Sequence, residues 1–170
     1  DTNYFMSNPE RFTKEEQYWL YQSDCCDDAV REGHALYYYR DFEDMRVRAL
    51  FLHSFDECEE KRYGFSDEEV LWLQRTLKTV PKTYRVLVFS HVPPLPEIHY
   101  WSKDIRNGGK MVDVLEEYVR QDAAHCVLGW IHGHNHADQI YSGRLFPIVS
   151  LGCTKIEDFK DKKPDHAVTY

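Results

Sequence analysis

No apolar run in these 170 residues approaches the roughly 18 that a membrane-spanning helix needs, so no membrane partner is expected. Paired cysteines are also missing. The five cysteines, at 25, 26, 58, 126 and 153, form no C-x-x-C, and a vicinal pair within an odd total does not make the disulfide framework of a small secreted domain. A reducing compartment, and with it a cytoplasmic location, is the expectation. Positive charge is short as well: 21 Lys and Arg stand against 29 Asp and Glu, for a formal charge of −8. That balance argues against nucleic-acid binding through a basic face. It leaves phosphorylated substrates open, because bound divalent cations would supply positive charge locally. Neither internal repeats nor low-complexity tracts interrupt the chain. Its length suits one domain with a real core and is too short for two comfortable ones, so residues 1–170 are read as a single domain.

Several elements are legible from spacing. Thr13 followed by Glu16 predicts a capped helix running to Tyr21, and Ser66 followed by Glu69 predicts a second one. In that second helix Val70, Leu73, Leu77 and Val80 recur at near-helical spacing, Leu71 and Trp72 widen the stripe, and Pro81 ends it. Met111, Val114, Leu115, Tyr118 and Val119 mark a third helix. Strands are expected over 34–40 and 46–55, joined by a hairpin connection at 41–45, then over 84–89 and 126–131. A hairpin follows, with Gln139 to Tyr141 and Leu145 to Val149 flanking Ser142-Gly143. The long connection 92–109 shows no periodicity of its own, and loops of that length are often functional. Ser23 to Asp28 reads as an exposed loop. The order β–β–α–β–α–β–β–β is mixed α/β.

The chemistry concentrates in histidines. Ile131-His132-Gly133-His134-Asn135-His136 follows the apolar run Cys126 to Trp130, and His91 follows Leu87-Val88-Phe89-Ser90 and precedes Val92-Pro93-Pro94. Two strands therefore deliver His91, His134 and His136 to one edge of a sheet, where open α/β sheets bind ligands. The i, i+2 spacing points both imidazoles of the pair the same way if the backbone stays extended, and Gly133 is expected to permit a sharp turn without a Cβ penalty. Neutral imidazole suits manganese, iron, zinc or nickel. Three histidines alone fit either a single tetrahedral site or half of a two-metal site. His132 is read as a packing residue. His34, His53, His125 and His166 are given ordinary strand or surface roles, and Cys126 and Cys153 are read as buried small hydrophobes. His99-Tyr100-Trp101 either faces substrate or packs its own loop. Asn135 either orients substrate or fills a turn.

Three segments in order carry a family resemblance: Gly64-Phe65-Ser66-Asp67-Glu68-Glu69-Val70-Leu71-Trp72-Leu73, Val86-Leu87-Val88-Phe89-Ser90-His91-Val92-Pro93-Pro94, and Gly133-His134-Asn135-His136. Over roughly residues 46–152 the chain resembles the C-terminal half of a calcineurin-like metallophosphoesterase. The resemblance implies a mixed β-sandwich flanked by helices, with two divalent metal ions at the sheet ends. It implies that His91 and His134 bind one metal and His136 the other. It also implies hydrolysis of phosphomonoesters or phosphodiesters by in-line attack of a metal-activated water.

The family's N-terminal motifs, D-x-H, G-D-x-x-D and G-N-H-D/E, do not occur here. Asp24-Cys25-Cys26-Asp27 has D-x-x-D spacing but lacks the Gly and the preceding apolar strand, and Asp165-His166 is adjacent rather than spaced. Asp1-Thr2-Asn3 reads as the stump of a G-N-H-D motif. The expectation is a domain truncated at its N-terminus that supplies the histidine side of a metal centre and is inactive by itself. The alternative is a degenerate phosphoesterase-like binding module. Self-association through a sheet edge left open by the missing strands is expected too. A TIM-barrel site is discounted because a full barrel needs roughly 250 residues. A cupin-like site is discounted because two capped helices separate the ligand strands.

Overall fold

The computed structural model of the protein describes residues 12–22, 28–56, 63–98 and 105–152. Among them the elements run α1 (Lys14–Gln22), β1 (Tyr38–Phe42), β2 (Val47–Phe51), α2 (Asp67–Lys78), β3 (Arg85–Ser90), α3 (Gly108–Gln121), β4 (Val127–His132), β5 (Gln139–Tyr141) and β6 (Ile148–Ser150). The strands form one sheet in the order β1-β2-β3-β4-β6-β5. β2, β3, β4 and β6 are parallel, and β1 and β5 are antiparallel edges. The fold is thus α/β with a mixed six-stranded sheet. The sandwich that the resemblance implies needs two sheets, and the described residues form a single one. Also among them, no helix is long and apolar enough to cross a membrane.

Local chemistry explains most boundaries. At α1 the Thr13 hydroxyl accepts from the Glu16 amide at 3.2 Å, and the Glu16 carboxylate accepts from the Thr13 amide at 2.8 Å, a complete capping box. At α2 only half of that box forms. Ser66 Oγ accepts from the Glu69 amide at 3.0 Å, while the Glu69 carboxylate turns inward and accepts from the His53 amide at 2.8 Å. β1 begins at Tyr38, later than the run from His34 suggests, and β2 ends at Phe51. The β1–β2 turn closes at Arg46, whose φ of 52° is left-handed. The expected C-terminal hairpin forms, with a shorter second arm: Gln139, Ile140 and Tyr141 face Ser150, Val149 and Ile148.

α2 and α3 are the crossovers between parallel neighbours. Right-handed connections in one direction put both on the same face of the sheet, where they touch each other. That face carries Leu50, Val86, Val88, Trp130 and Ile148, and the helices bring Val70, Trp72, Leu73, Leu77, Met111, Val112 and Leu115, all buried. Leu71, expected in the stripe, is exposed: it follows Val70 by 100° around the helix and turns away from the sheet. Cys126 is a half-buried free thiol rather than a fully buried one. The other face presents Tyr38, Phe51 and Phe89 as a stacked row, with centroids 4.7 and 5.1 Å apart. All three are partly buried, and the Arg31 guanidinium lies over the Tyr38 ring at 4.8 Å. At the β1 edge Val30 exchanges backbone hydrogen bonds with Tyr39, and β5 at the other edge is three residues long.

Candidate metal centre

β3 and β4 pair in parallel with Ser90 opposite His132, so their C-terminal ends lie side by side. His91 leaves β3 between two fixed neighbours. The buried Trp130 indole donates to Ser90 Oγ at 2.8 Å, and that hydroxyl donates to the Val92 carbonyl at 2.8 Å. The Val92 amide in turn donates to Ser54 Oγ at 3.1 Å. Beyond β4, the Gly133 amide donates to the His91 carbonyl at 3.1 Å, which ties the two histidine loops together. At the start of α3, a Cβ on Gly108 would collide with the Pro94 carbonyl, so glycine there lets the loop after His91 lie against the helix.

The turn after β4 departs from the sequence reading. Gly133 does not take a left-handed conformation. His134 and His136 do, with φ of 68° and 54°. The backbone is therefore not extended through the pair, and the strand stops at His132. A left-handed conformation costs a residue with a Cβ roughly 1–2 kcal/mol, so the turn is strained at His134 and His136. Such strain is characteristic of functional sites.

The His91 and His134 rings have centroids 5.3 Å apart and planes at 76°. The two rings thus meet edge to face in direct contact. His91 keeps an exposed side, yet partial desolvation of its ring lowers its pKa and favours the neutral form that a metal needs. His136 is exposed in the same turn. Among the described residues no group of three or more His, Cys, Asp or Glu side chains is arranged to hold a metal ion. Among the described residues the structure thus brings His91 and His134 into ring contact without completing a metal-binding group around them.

His132 behaves as a packing residue. It is 2 % exposed, and its Nδ1 lies 2.8 Å from the Gly133 carbonyl. A carbonyl only accepts, so Nδ1 carries the proton. His125 likewise donates from Nδ1 to the Tyr118 carbonyl and stacks on the Tyr118 ring, and His34 stacks on Tyr18. The expectations for Asp1 to Asn3, Ser23 to Asp27, Cys58, His99 to Trp101, Cys153 and Asp165-His166 lie outside the described residues.

Sequence reasoning missed two features beside the histidines. Phe55 stacks on His91 and Tyr63 stands edge-on to His134, both from the connection between β2 and α2. Behind them is a cavity of about 380 Å³ lined by His53, Asp56, Glu69, Lys14 and Arg106 among others. Asp56 is buried there between Lys14 Nζ and Arg106, each at 2.6 Å. Burial pushes the His53 pKa down to about 4, and Lys14 adds to the shift. Its Nε2 is sealed from solvent without a hydrogen-bond partner among the described residues. Burial pushes the Glu69 carboxyl well above its ordinary range. Asn135 Nδ2 reaches the Gln139 side chain at 3.5 Å, a contact that helps fill the turn.

No known family model matches this chain, and no curated protein matches it significantly.

Proposed function

We propose that this chain supplies the histidine side of a dinuclear metal centre that hydrolyses phosphomonoesters or phosphodiesters, as in calcineurin-like metallophosphoesterases. One observation carries the reading. The His91 and His134 rings meet edge to face at 5.3 Å on two tied loops at the C-terminal ends of adjacent parallel strands, and the second loop takes left-handed backbone at His134 and His136. His91 and His134 would hold one ion and His136 the other. Two divalent cations, of manganese, iron, zinc or nickel, would polarise the phosphoryl oxygens and activate a water nucleophile. The chain's own contribution is positional. The Gly133–His91 hydrogen bond sets the spacing of the two loops, and the bonds through Ser90 and Ser54 fix the backbone on both sides of His91.

The bridging carboxylates of such a centre are missing from the motifs of this sequence, and we propose that they come from outside it. The isolated 170-residue chain is accordingly expected to bind a divalent metal weakly and to show little or no turnover of p-nitrophenyl phosphate or its bis-ester. Robust turnover by the isolated chain would sink the idea that it is one side of a site. The same missing motifs favour a second reading, a phosphoesterase-like module that binds without catalysis. Supplying the acidic motifs upstream and finding turnover decides for the enzyme, whereas metal loading without turnover decides for the module.

A further inference from the structure

The rings of Phe55, His91, His134 and Tyr63 form a closed cycle. Phe55 lies nearly parallel to His91, with centroids 5.5 Å apart and planes at 21°. His91 meets His134 at 5.3 Å, His134 meets Tyr63 at 5.0 Å and 70°, and Tyr63 meets Phe55 at 5.8 Å and 70°. Each imidazole therefore touches the other imidazole and one carbocyclic ring. Stacked and steeply tilted arrangements are the ones aromatic pairs favour.

The two carbocyclic rings are held by backbone. The Gly64 amide donates to the Ser54 carbonyl at 3.0 Å, and the Asp56 amide donates to the Gly64 carbonyl at 2.9 Å, closing the connection on itself. The Arg106 amide donates to the Tyr63 carbonyl at 3.0 Å, and the Phe65 amide donates to the Arg106 carbonyl at 3.0 Å. Arg106 is further pinned by Asp56 and Asp67, each at 2.6 Å.

A metal ligand must keep its imidazole plane aimed at the ion. We infer that Phe55 and Tyr63 are positioning residues that fix the ring orientations of His91 and His134 through packing, so that both imidazoles are aimed before a metal arrives. This inference rests on the metal reading above. The part of Tyr63 it concerns is the ring, which meets His134 at 5.0 Å.

The test is a Zn²⁺ titration of the full chain, with the imidazole nitrogen shifts of His91 and His134 followed by NMR. The proteins are wild type, the double variant His91→Ala with His134→Ala, Tyr63→Leu, Tyr63→Phe and Phe55→Leu. The double variant is expected to lose the binding event; if it binds as tightly as wild type, the metal reading itself fails. Tyr63→Leu is expected to bind about ten-fold more weakly, and Tyr63→Phe as wild type does. Wild-type affinity in Tyr63→Leu, or equal weakening in Tyr63→Phe, overturns the positioning role while leaving the metal reading in place. Should Tyr63→Leu lose its native amide spectrum, Phe55→Leu carries the same expectation and the same contrary result.

Discussion

The two ends of the parallel strands are built on opposite terms. At the N-terminal end Arg48 is 3 % exposed and fully engaged. Its guanidinium grips Asp41 through two 2.7 Å bonds and donates to the Thr76 carbonyl and to Thr79 Oγ1 at the end of α2. It also lies over the Tyr39 ring at 4.0 Å. At the C-terminal end two histidines hold left-handed backbone, His53 Nε2 is sealed without a partner among the described residues, and the buried Glu69 is pushed toward its neutral form. The N-terminal end also carries left-handed backbone, at Arg46, but its buried guanidinium is fully paired, whereas the C-terminal end holds buried titratable groups away from their ordinary ionisation.

The first way to break this contrast is to remove its satisfied half. Arg48→Met is expected to cost about 3–4 kcal/mol in urea unfolding, because Asp41 and the end of α2 lose their partner. Zn²⁺ affinity should hardly change in the fraction that stays folded. A loss below about 1 kcal/mol would mean that the bracket is not an anchor.

The second acts on the buried pair. His53 is depressed from 6.5 to about 4, so its stabilisation is complete above 6.5 and is lost as pH falls toward 4, by at most about 3 kcal/mol. Glu69 is raised, so its native form holds a proton that the unfolded chain gives up near 4.5, and stability falls as pH rises above that value. The two slopes oppose each other. Glu69→Gln keeps an acceptor for the His53 amide and removes one slope, so its stability relative to wild type should grow as pH rises from 4.5. A difference independent of pH would show that Glu69 does not carry the raised pKa.

The smallest expected effect falls on the strained turn. His136→Gly removes a Cβ from left-handed backbone and should stabilise the chain by about 0.5–1 kcal/mol in thermal unfolding, less than the strain because glycine also loosens the unfolded state. A destabilised variant would mean that no strain is stored at that residue. Self-association through a sheet edge is expected in sedimentation at high concentration, and a monodisperse monomer would count against it.

Much of this contrast was legible in the sequence, but unevenly. The α2 cap, the β3 and β4 runs and the placement of His91 and Gly133-His134-Asn135-His136 at neighbouring strand ends followed from local spacing, because period and caps act over a few residues. The inward turn of Glu69 was not legible, since the residue that completes a capping box at short range was claimed by the His53 amide 16 positions away. Phe55 and Tyr63 gave no signal either. Their value comes from meeting histidines 36 and 71 residues later. The turn was misassigned to Gly133 because glycine is the usual bearer of left-handed backbone, and here the histidines bear it.

The central claim is that His91 and His134 serve one ion. It is tested most directly by following both imidazoles by NMR during a Zn²⁺ titration of wild type and of His91→Ala. A shared site predicts that both signals move along one binding curve in wild type, and that His134 stops responding at those concentrations in His91→Ala. Independent curves, or a His134 response unchanged by the loss of His91, would contradict it.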